Sequence, residues 1–280
     1  MNETDEETGR VALARQLAKA MARLRERRPL VQNITNFVSM DIVANALLAA
    51  GATPAMVHAR EEVEDFGRIA DALVVNIGTL SAEWVESMRL AAKGAQERRM
   101  PWVLDPVGAG ATPFRTKSVA DLCAHGPTVI RGNASEILAV ATALGLQAVA
   151  ARGRGVDSGN TTDEAAGAAG ELARKLGATV VATGEIDVVT DGTRTLRFAN
   201  GSILMTLVTA TGCSLSALTG AYLAVATDPF EAACVAVAHV GVAGELAGED
   251  ASLPGMFRVA FIDRLASVGE AEILTRLRLA

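Results

Sequence analysis

A series of short, almost wholly apolar runs, each ending at or beside a polar residue, constrains this chain most. Residues 30–34, 54–58, 72–77, 102–106, 128–131 and 179–183 read as strands of this kind. Amphipathic patterns between them predict helices over 81–99, 134–144 and 163–176. Leu13, Leu17, Met21 and Leu24 share one face of a first helix over 10–27, which Pro29 ends. Strands with no in-and-out alternation are buried on both faces, and the helices between them return the chain for parallel pairing. The prediction is an α/β fold in three layers, a mostly parallel sheet covered by helices on both faces. Residues 187–190 and 194–199, split by Asp191-Gly192, add a hairpin late in the sheet, and the chain from Cys213 onward reads as mostly helix.

With half of its 280 residues apolar, the chain can bury one large core, and residues 1–280 read as a single domain with a disordered start over 1–9. A net charge of −6 excludes a nucleic-acid footprint, and Arg25-Glu26-Arg27-Arg28 reads as a solvated helix end. Cys123, Cys213 and Cys234 are too few and scattered for a disulfide framework or a zinc site, which fits a reducing, cytoplasmic compartment. Residues 1–7 lack a basic n-region and an apolar core, so no signal peptide is expected. The uncharged span between Arg197 and Asp228 is long enough to cross a bilayer. Asn200-Gly201, several threonines and Gly212 interrupt it, and a buried strand followed by a buried helix explains it without a membrane. Residues 145–162, rich in Gly, Ser and Asn, are expected to form the one mobile loop.

In a doubly wound sheet the ligand belongs at the carboxyl ends of the strands. The polar residues there are Asn76 and Gly78, Asp105, Arg131 with Asn133 and Glu136, and Thr183 with Glu185. The stretch from Leu207 to Ala217 joins them as a strand end, a small-residue turn and the start of an apolar helix. Its small residues admit close backbone approach, and free N–H groups at a helix start attract an anion. Cys213 stands where the helix dipole would lower a thiol's pKa. Asp105 is followed by Pro106 and no helix start, so it is not explained as a cap, and Asp105 with Glu136 suits a hard cation held through oxygen and water. No Walker A loop and no Gly-x-Gly-x-x-Gly after a strand is present, and His58, His125 and His239 have no metal-ligand spacing.

Taken in order, Pro29-Leu30-Val31, Ile34-Thr35-Asn36, Gly51-Ala52-Thr53-Pro54-Ala55-Met56, Asn76-Ile77-Gly78-Thr79-Leu80 and Leu104-Asp105-Pro106-Val107-Gly108-Ala109-Gly110 form a pattern. Ile130-Arg131-Gly132-Asn133-Ala134-Ser135-Glu136, Gly155-Val156-Asp157, Ala182-Thr183-Gly184-Glu185 and the 209–213 loop continue it. Over residues 10–270 the sequence resembles the hydroxyethylthiazole kinases of the ribokinase-like superfamily. The resemblance implies transfer of the ATP γ-phosphoryl group to the alcohol of 4-methyl-5-(2-hydroxyethyl)thiazole, a salvage step in thiamine synthesis. It also implies a ribokinase-like three-layer fold and a homotrimer with its sites between subunits. By position, Asn36 and Met40 border the thiazole, and residues 210–212 face its hydroxyethyl arm. Arg131 meets the triphosphate, Thr183 contacts ATP, and Asp105 with Asn133 and Glu136 organises Mg²⁺ through water. Gly212 and Cys213 lie at the reacting end, Cys213 where many ribokinase-like relatives carry an aspartate base.

The family loop reads Thr-Gly-Thr/Ala-Gly-Cys, and here its first glycine is Ala210. If that position needs φ > 0, alanine is strained by roughly 1 kcal/mol; if φ is negative, the methyl group only narrows the pocket. Two other classes compete with the kinase. An ATP-dependent hydrate dehydratase on the same fold expects an aspartate at position 213, and a non-catalytic ATP-binding oligomer would follow if Ala210 collapsed the loop.

Overall fold

Two apolar clusters, one on each face of an eight-stranded sheet, organise the chain. The computed structural model describes residues 3–146 and 162–280. The first half runs α1 (Glu3–Arg27), β1 (Leu30–Ile34), α2 (Met40–Ala50), β2 (Thr53–Met56), α3 (Val63–Phe66), β3 (Ala72–Asn76), α4 (Ala82–Arg98), β4 (Trp102–Asp105), α5 (Pro113–Cys123) and β5 (Val129–Asn133). The second runs α6 (Ala134–Ala143), α7 (Thr162–Leu176), β6 (Thr179–Thr183), β7 (Asp187–Thr190), β8 (Thr195–Phe198), a 3-10 turn (Ile203–Leu207), α8 (Thr211–Leu223), α9 (Pro229–Asp250), α10 (Pro254–Ser267) and α11 (Glu270–Arg276).

The strand order is β2-β1-β3-β4-β5-β6-β7-β8, with β1 to β6 parallel and the β7–β8 hairpin antiparallel at one edge. Side chains alternate across a strand, and the two faces separate by residue type. Val31, Val74, Val103, Val129, Val181 and Val189 face α1, α2 and α8 to α11. Leu73, Val75, Leu104, Ile130, Val180 and Val188 face α3 to α7. The order reverses between β1 and β3, so the crevice for a ligand lies at their carboxyl ends.

Helix α8 is fitted closely to this sheet. A Cβ on Gly220 would lie 2.4 Å from Val74 Cγ2, so only glycine lets the helix sit this near the valine row. At its far end the Tyr222 hydroxyl meets His239 Nδ1 at 2.8 Å, and His239 Nε2 meets the Leu265 carbonyl at 2.9 Å. A carbonyl only accepts, so Nε2 carries the proton and Nδ1 accepts from Tyr222. Burial pushes His239 down to about 4, so it stays neutral and locks α8 to α9 and α10.

Several expectations shift. Residues 3–9, expected to be disordered, belong to α1, where Arg10 pairs with Glu7 and donates to the Leu274 carbonyl. The arginines near the end of α1 are not simply solvated: Arg25 donates to Ala266 O and Val268 O, and Arg27 to Ala224 O. The strand end expected at Leu207 is a 3-10 turn, because an unalternating apolar run does not distinguish strand from helix. Helix α5 escaped its weak amphipathicity, although its start is written in Thr112, whose hydroxyl caps Arg115 N, and in Pro113 at the first turn. The long apolar helix α9 lies inside the protein core. Of the loop expected over 145–162, residues 147–161 lie outside the described residues, as does the Gly155-Val156-Asp157 motif.

Candidate active site

The crevice gathers polar side chains from five separate elements. Asn36 follows β1, Asn76 ends β3, Asp105 ends β4, Arg131 lies in β5, and Cys213 and Ser216 lie in the first turns of α8. Asn76 is the hub. Its Oδ1 accepts from Asn36 Nδ2 at 2.9 Å and from Gly78 N at 2.9 Å, while its Nδ2 donates to Asp105 Oδ2 at 2.7 Å and Cys213 Sγ at 3.2 Å. Asn36 Nδ2 also lies 3.5 Å from Cys213 Sγ. A sulfur between two amide donors acts as an acceptor.

Asp105 is fully buried. Its Oδ2 accepts from Asn76 and from Ser216 Oγ at 2.8 Å, whereas its Oδ1 is buried with no hydrogen-bond partner. The Arg131 guanidinium stands 3.9 Å from Oδ2. Burial outweighs that attraction and pushes the Asp105 carboxyl up to about 7, with Glu136 adding repulsion. The carboxylate is thus short of positive charge.

Glu136 is tied to two backbone segments. Its Oε2 accepts from Asn133 N at 2.8 Å while Asn133 Oδ1 accepts from Glu136 N, a capping box at the start of α6. Its Oε1 accepts from Gly108 N at 2.9 Å, joining the loop after β4. No group of three or more His, Cys, Asp or Glu gathers among the described residues. Asp105 with its free Oδ1, beside the anion Glu136, fits a cation that keeps water and phosphate ligands, the habit of Mg²⁺ rather than of a fully caged metal.

Arg131 bridges to the other wall. Its Nη2 donates to Thr183 Oγ1 at 2.7 Å, and its guanidinium lies over the start of α8, where a Cβ on Gly212 would come within 2.6 Å of Nη1. Asp187, at the start of the hairpin, feels Arg131 as well; burial pushes its carboxyl up to about 6. Met40 opens α2 half-buried against the apolar layer and adds no polar bond to the cluster.

Two expectations at the 209–213 loop are decided. Ala210 has φ 67° and ψ 9°, so the left-handed alternative holds and the alanine is strained there. Its carbonyl nonetheless accepts from Ser214 N and Ser214 Oγ, both at 2.9 Å, and Thr211 Oγ1 holds Met205 O at 3.1 Å. Ala210→Gly is therefore expected to stabilise the protein by roughly 0.5–1 kcal/mol, read as a raised denaturation midpoint at constant m. An unchanged or lowered midpoint would show that the φ is not costly. The Cys213 thiol, expected to be lowered by the helix dipole, is instead raised, because burial and the adjacent Asp105 carboxylate disfavour a thiolate.

Sequence reasoning missed Ser216 and Asp187. Ser216 had a signal in the helical period, since Cys213, Ser216 and Gly220 fall at i, i+3 and i+7 on one face. Asp187 had none beyond its place at a strand start.

A family model described as the hydroxyethylthiazole kinase family matches residues 21–271. A hydroxyethylthiazole kinase from Cereibacter sphaeroides is 54% identical over 242 residues, covering 86% of this chain and 90% of that one. One from Rhizobium johnstonii is 50% identical over 258 residues, covering 92% and 94%. The solved hydroxyethylthiazole kinase structure from Pyrococcus horikoshii superposes with a TM-score of 0.87 at 44% identity, covering 94% of this chain and 98% of that one. A Staphylococcus aureus pyridoxal kinase shares the fold at a TM-score of 0.58 and 18% identity, covering 78% and 88%. The three-layer architecture is the ribokinase-like one, and the chain belongs to the hydroxyethylthiazole kinase family.

Proposed function

We infer that the protein phosphorylates the hydroxyl of 4-methyl-5-(2-hydroxyethyl)thiazole with ATP, the salvage entry to thiamine synthesis. Family membership supports the reaction, and the observation that carries it to these residues is the convergence of Asn36, Asn76, Asp105, Arg131 and Cys213 at the strand-order reversal. In this transfer the hydroxyl oxygen attacks the γ-phosphorus, the bond to the β-phosphate oxygen breaks, ADP leaves and the hydroxyl proton is released. The work asked of the protein is positioning and neutralisation of charge.

Asn36 and Met40 border the thiazole in this reading, and Ala210 and Gly212 face the hydroxyethyl arm. Thr211, Gly212 and Cys213 open α8, where their N–H groups have no intrahelical acceptor and can bind the transferring phosphoryl oxygens. Arg131, steadied by Thr183, meets the triphosphate as a planar cation. Asp105 and Glu136 would hold Mg²⁺, which when bound neutralises phosphate charge. With its pKa raised, Cys213 is a neutral thiol at pH 7 and a poor base, so its part is to orient the hydroxyl.

Incubating the protein with Mg-ATP and the thiazole alcohol should yield the phosphorylated thiazole by mass spectrometry. ATP consumption without that product would reject the reading.

A homotrimer with shared sites is part of the proposal. Apolar side chains stand exposed where the 36–50 segment meets its neighbours: Phe37, Val38 and Leu48, with Ile203 and Leu207 of the 3-10 turn and Met256 and Val259 of α10, which packs on both. A face this apolar supports an interface between subunits. Light scattering at micromolar concentration should return a trimer, and a fully active monomer would overturn the shared-site picture. A cytoplasmic setting, with no membrane or nucleic acid, completes the proposal.

A further inference from the structure

Hydroxyls inside helices usually bond back to the carbonyl four residues earlier. In α8 two of them do so: Ser214 Oγ donates to Ala210 O at 2.9 Å and Thr219 Oγ1 to Leu215 O at 2.8 Å. Ser216 does not. Its Oγ crosses from the helix to the sheet and donates to Asp105 Oδ2 at 2.8 Å, with both residues fully buried. Asn76 Nδ2 approaches the same oxygen at 2.7 Å from the neighbouring strand. Two donors converge on Oδ2 while none reaches Oδ1, although Oδ1 is equally shut off from solvent.

A carboxyl group in a neutral cavity can rotate and share its donors between both oxygens. Here the donors come from two different elements, β3 and α8, and fix its rotation so that Oδ1 is the oxygen left over. We propose that Ser216 is a positioning residue, which clamps Asp105 together with Asn76 so that Oδ1 is presented to the divalent cation of the phosphoryl-transfer site. This rests on the reading of Asp105 as a cation ligand. Outer-sphere partners of this type orient a ligating carboxylate and affect metal affinity more than substrate affinity. The clamp also couples the cation to α8 itself, since Ser216 lies one turn beyond Cys213 on the same face.

Mn²⁺ binding, followed by the electron paramagnetic resonance of the free ion with and without a non-hydrolysable ATP analogue, tests this on S216A, S216T and D105N. S216A should bind Mn²⁺ ~10–100-fold more weakly, should need correspondingly more Mg²⁺ for half-maximal rate, and should keep a thiazole KM within about twofold of wild type. S216T, which retains the hydroxyl, should recover most of the Mn²⁺ affinity; thermal unfolding of each variant confirms that it is folded. Wild-type Mn²⁺ affinity in S216A would overturn the clamp, as would equal losses in S216A and a folded S216T. D105N distinguishes the two readings. If it loses Mn²⁺ binding while S216A does not, only the positioning role of Ser216 fails; if D105N binds Mn²⁺ like wild type, the assignment of Asp105 fails, and the clamp with it.

Discussion

Asp105→Asn is expected to lower kcat by roughly 10³-fold while leaving the protein folded, the scale of losing one preorganised electrostatic group at a phosphoryl-transfer centre. The substitution keeps the shape of the buried side chain. Its carbonyl oxygen can accept both bonds that Oδ2 accepts now, from Asn76 at 2.7 Å and Ser216 at 2.8 Å, while the negative charge disappears and an amide NH2 takes the place of the free Oδ1. Stability should respond to pH in a specific sense. A carboxyl pushed up to about 7 keeps its proton in the folded protein, whereas the unfolded chain releases it near its ordinary value of 3.8. The folded state therefore binds more protons between about pH 4 and 7, and in the absence of divalent cations the contribution of Asp105 to stability falls as pH rises through that window. Asp105→Asn removes the slope, so its unfolding midpoint relative to wild type should be more favourable at pH 8 than at pH 5. Wild-type turnover at limiting magnesium would remove Asp105 from the cation site, and equal midpoint differences at the two pH values would contradict its buried, charge-starved state.

Gly212→Ala should separate activity from stability in opposite directions. The new methyl carbon would fall 2.6 Å from Arg131 Nη1, 2.8 Å from Nη2 and 3.0 Å from Cζ, so the guanidinium must move. That guanidinium is held by Thr183 at 2.7 Å and lies beside Asp105, and displacing it by an ångström moves the charge meant for the triphosphate. A fall of ~100-fold in kcat/KM for ATP is expected, with a smaller change in the thiazole KM. Exchanging glycine for alanine near a helix start meanwhile leaves the helix as stable or up to ~1 kcal/mol more so. A variant less stable than wild type with normal ATP kinetics would place the close contact in the packing and take Arg131 away from the nucleotide.

The sheet was legible because each buried strand announces itself by an unbroken apolar run, and the polar residue that closes it sits at the ligand edge by geometry alone. Asn76, Asp105 and Arg131 came from that rule, and the structure brings all three together. The rule is silent where the signal is not periodic. Helix α5 is too weakly amphipathic to show, and the 3-10 turn at Ile203–Leu207 shares the composition of a strand. The thiol of Cys213 was misjudged for a different reason: a helix start is visible in sequence, but the burial and the Asp105 carboxylate that outweigh its dipole arise from segments about a hundred residues away. The backbone sign at Ala210 was likewise beyond the sequence, since an alanine can adopt either conformation and the choice belongs to the turn that surrounds it.

The single Asn76 amide nitrogen that donates both to Asp105 at 2.7 Å and to Cys213 at 3.2 Å has a consequence for which side chains this site can accommodate. Two carboxyl groups bonded to the two hydrogens of one amide in a dry crevice would stand within a few ångströms of each other, and one of them would have to take up a proton. A chain that installed an aspartate at position 213 would thus trade away the ionised state of one acid unless it also imported a compensating positive charge. A thiol asks for no such companion. The sulfur, polarisable and neutral, accepts the longer of the two Asn76 bonds and adds no second acid to compete with Asp105 for charge. The residue type at position 213 and the charge state at position 105 are therefore coupled: a change in the first alters the electrostatic surroundings that set the second.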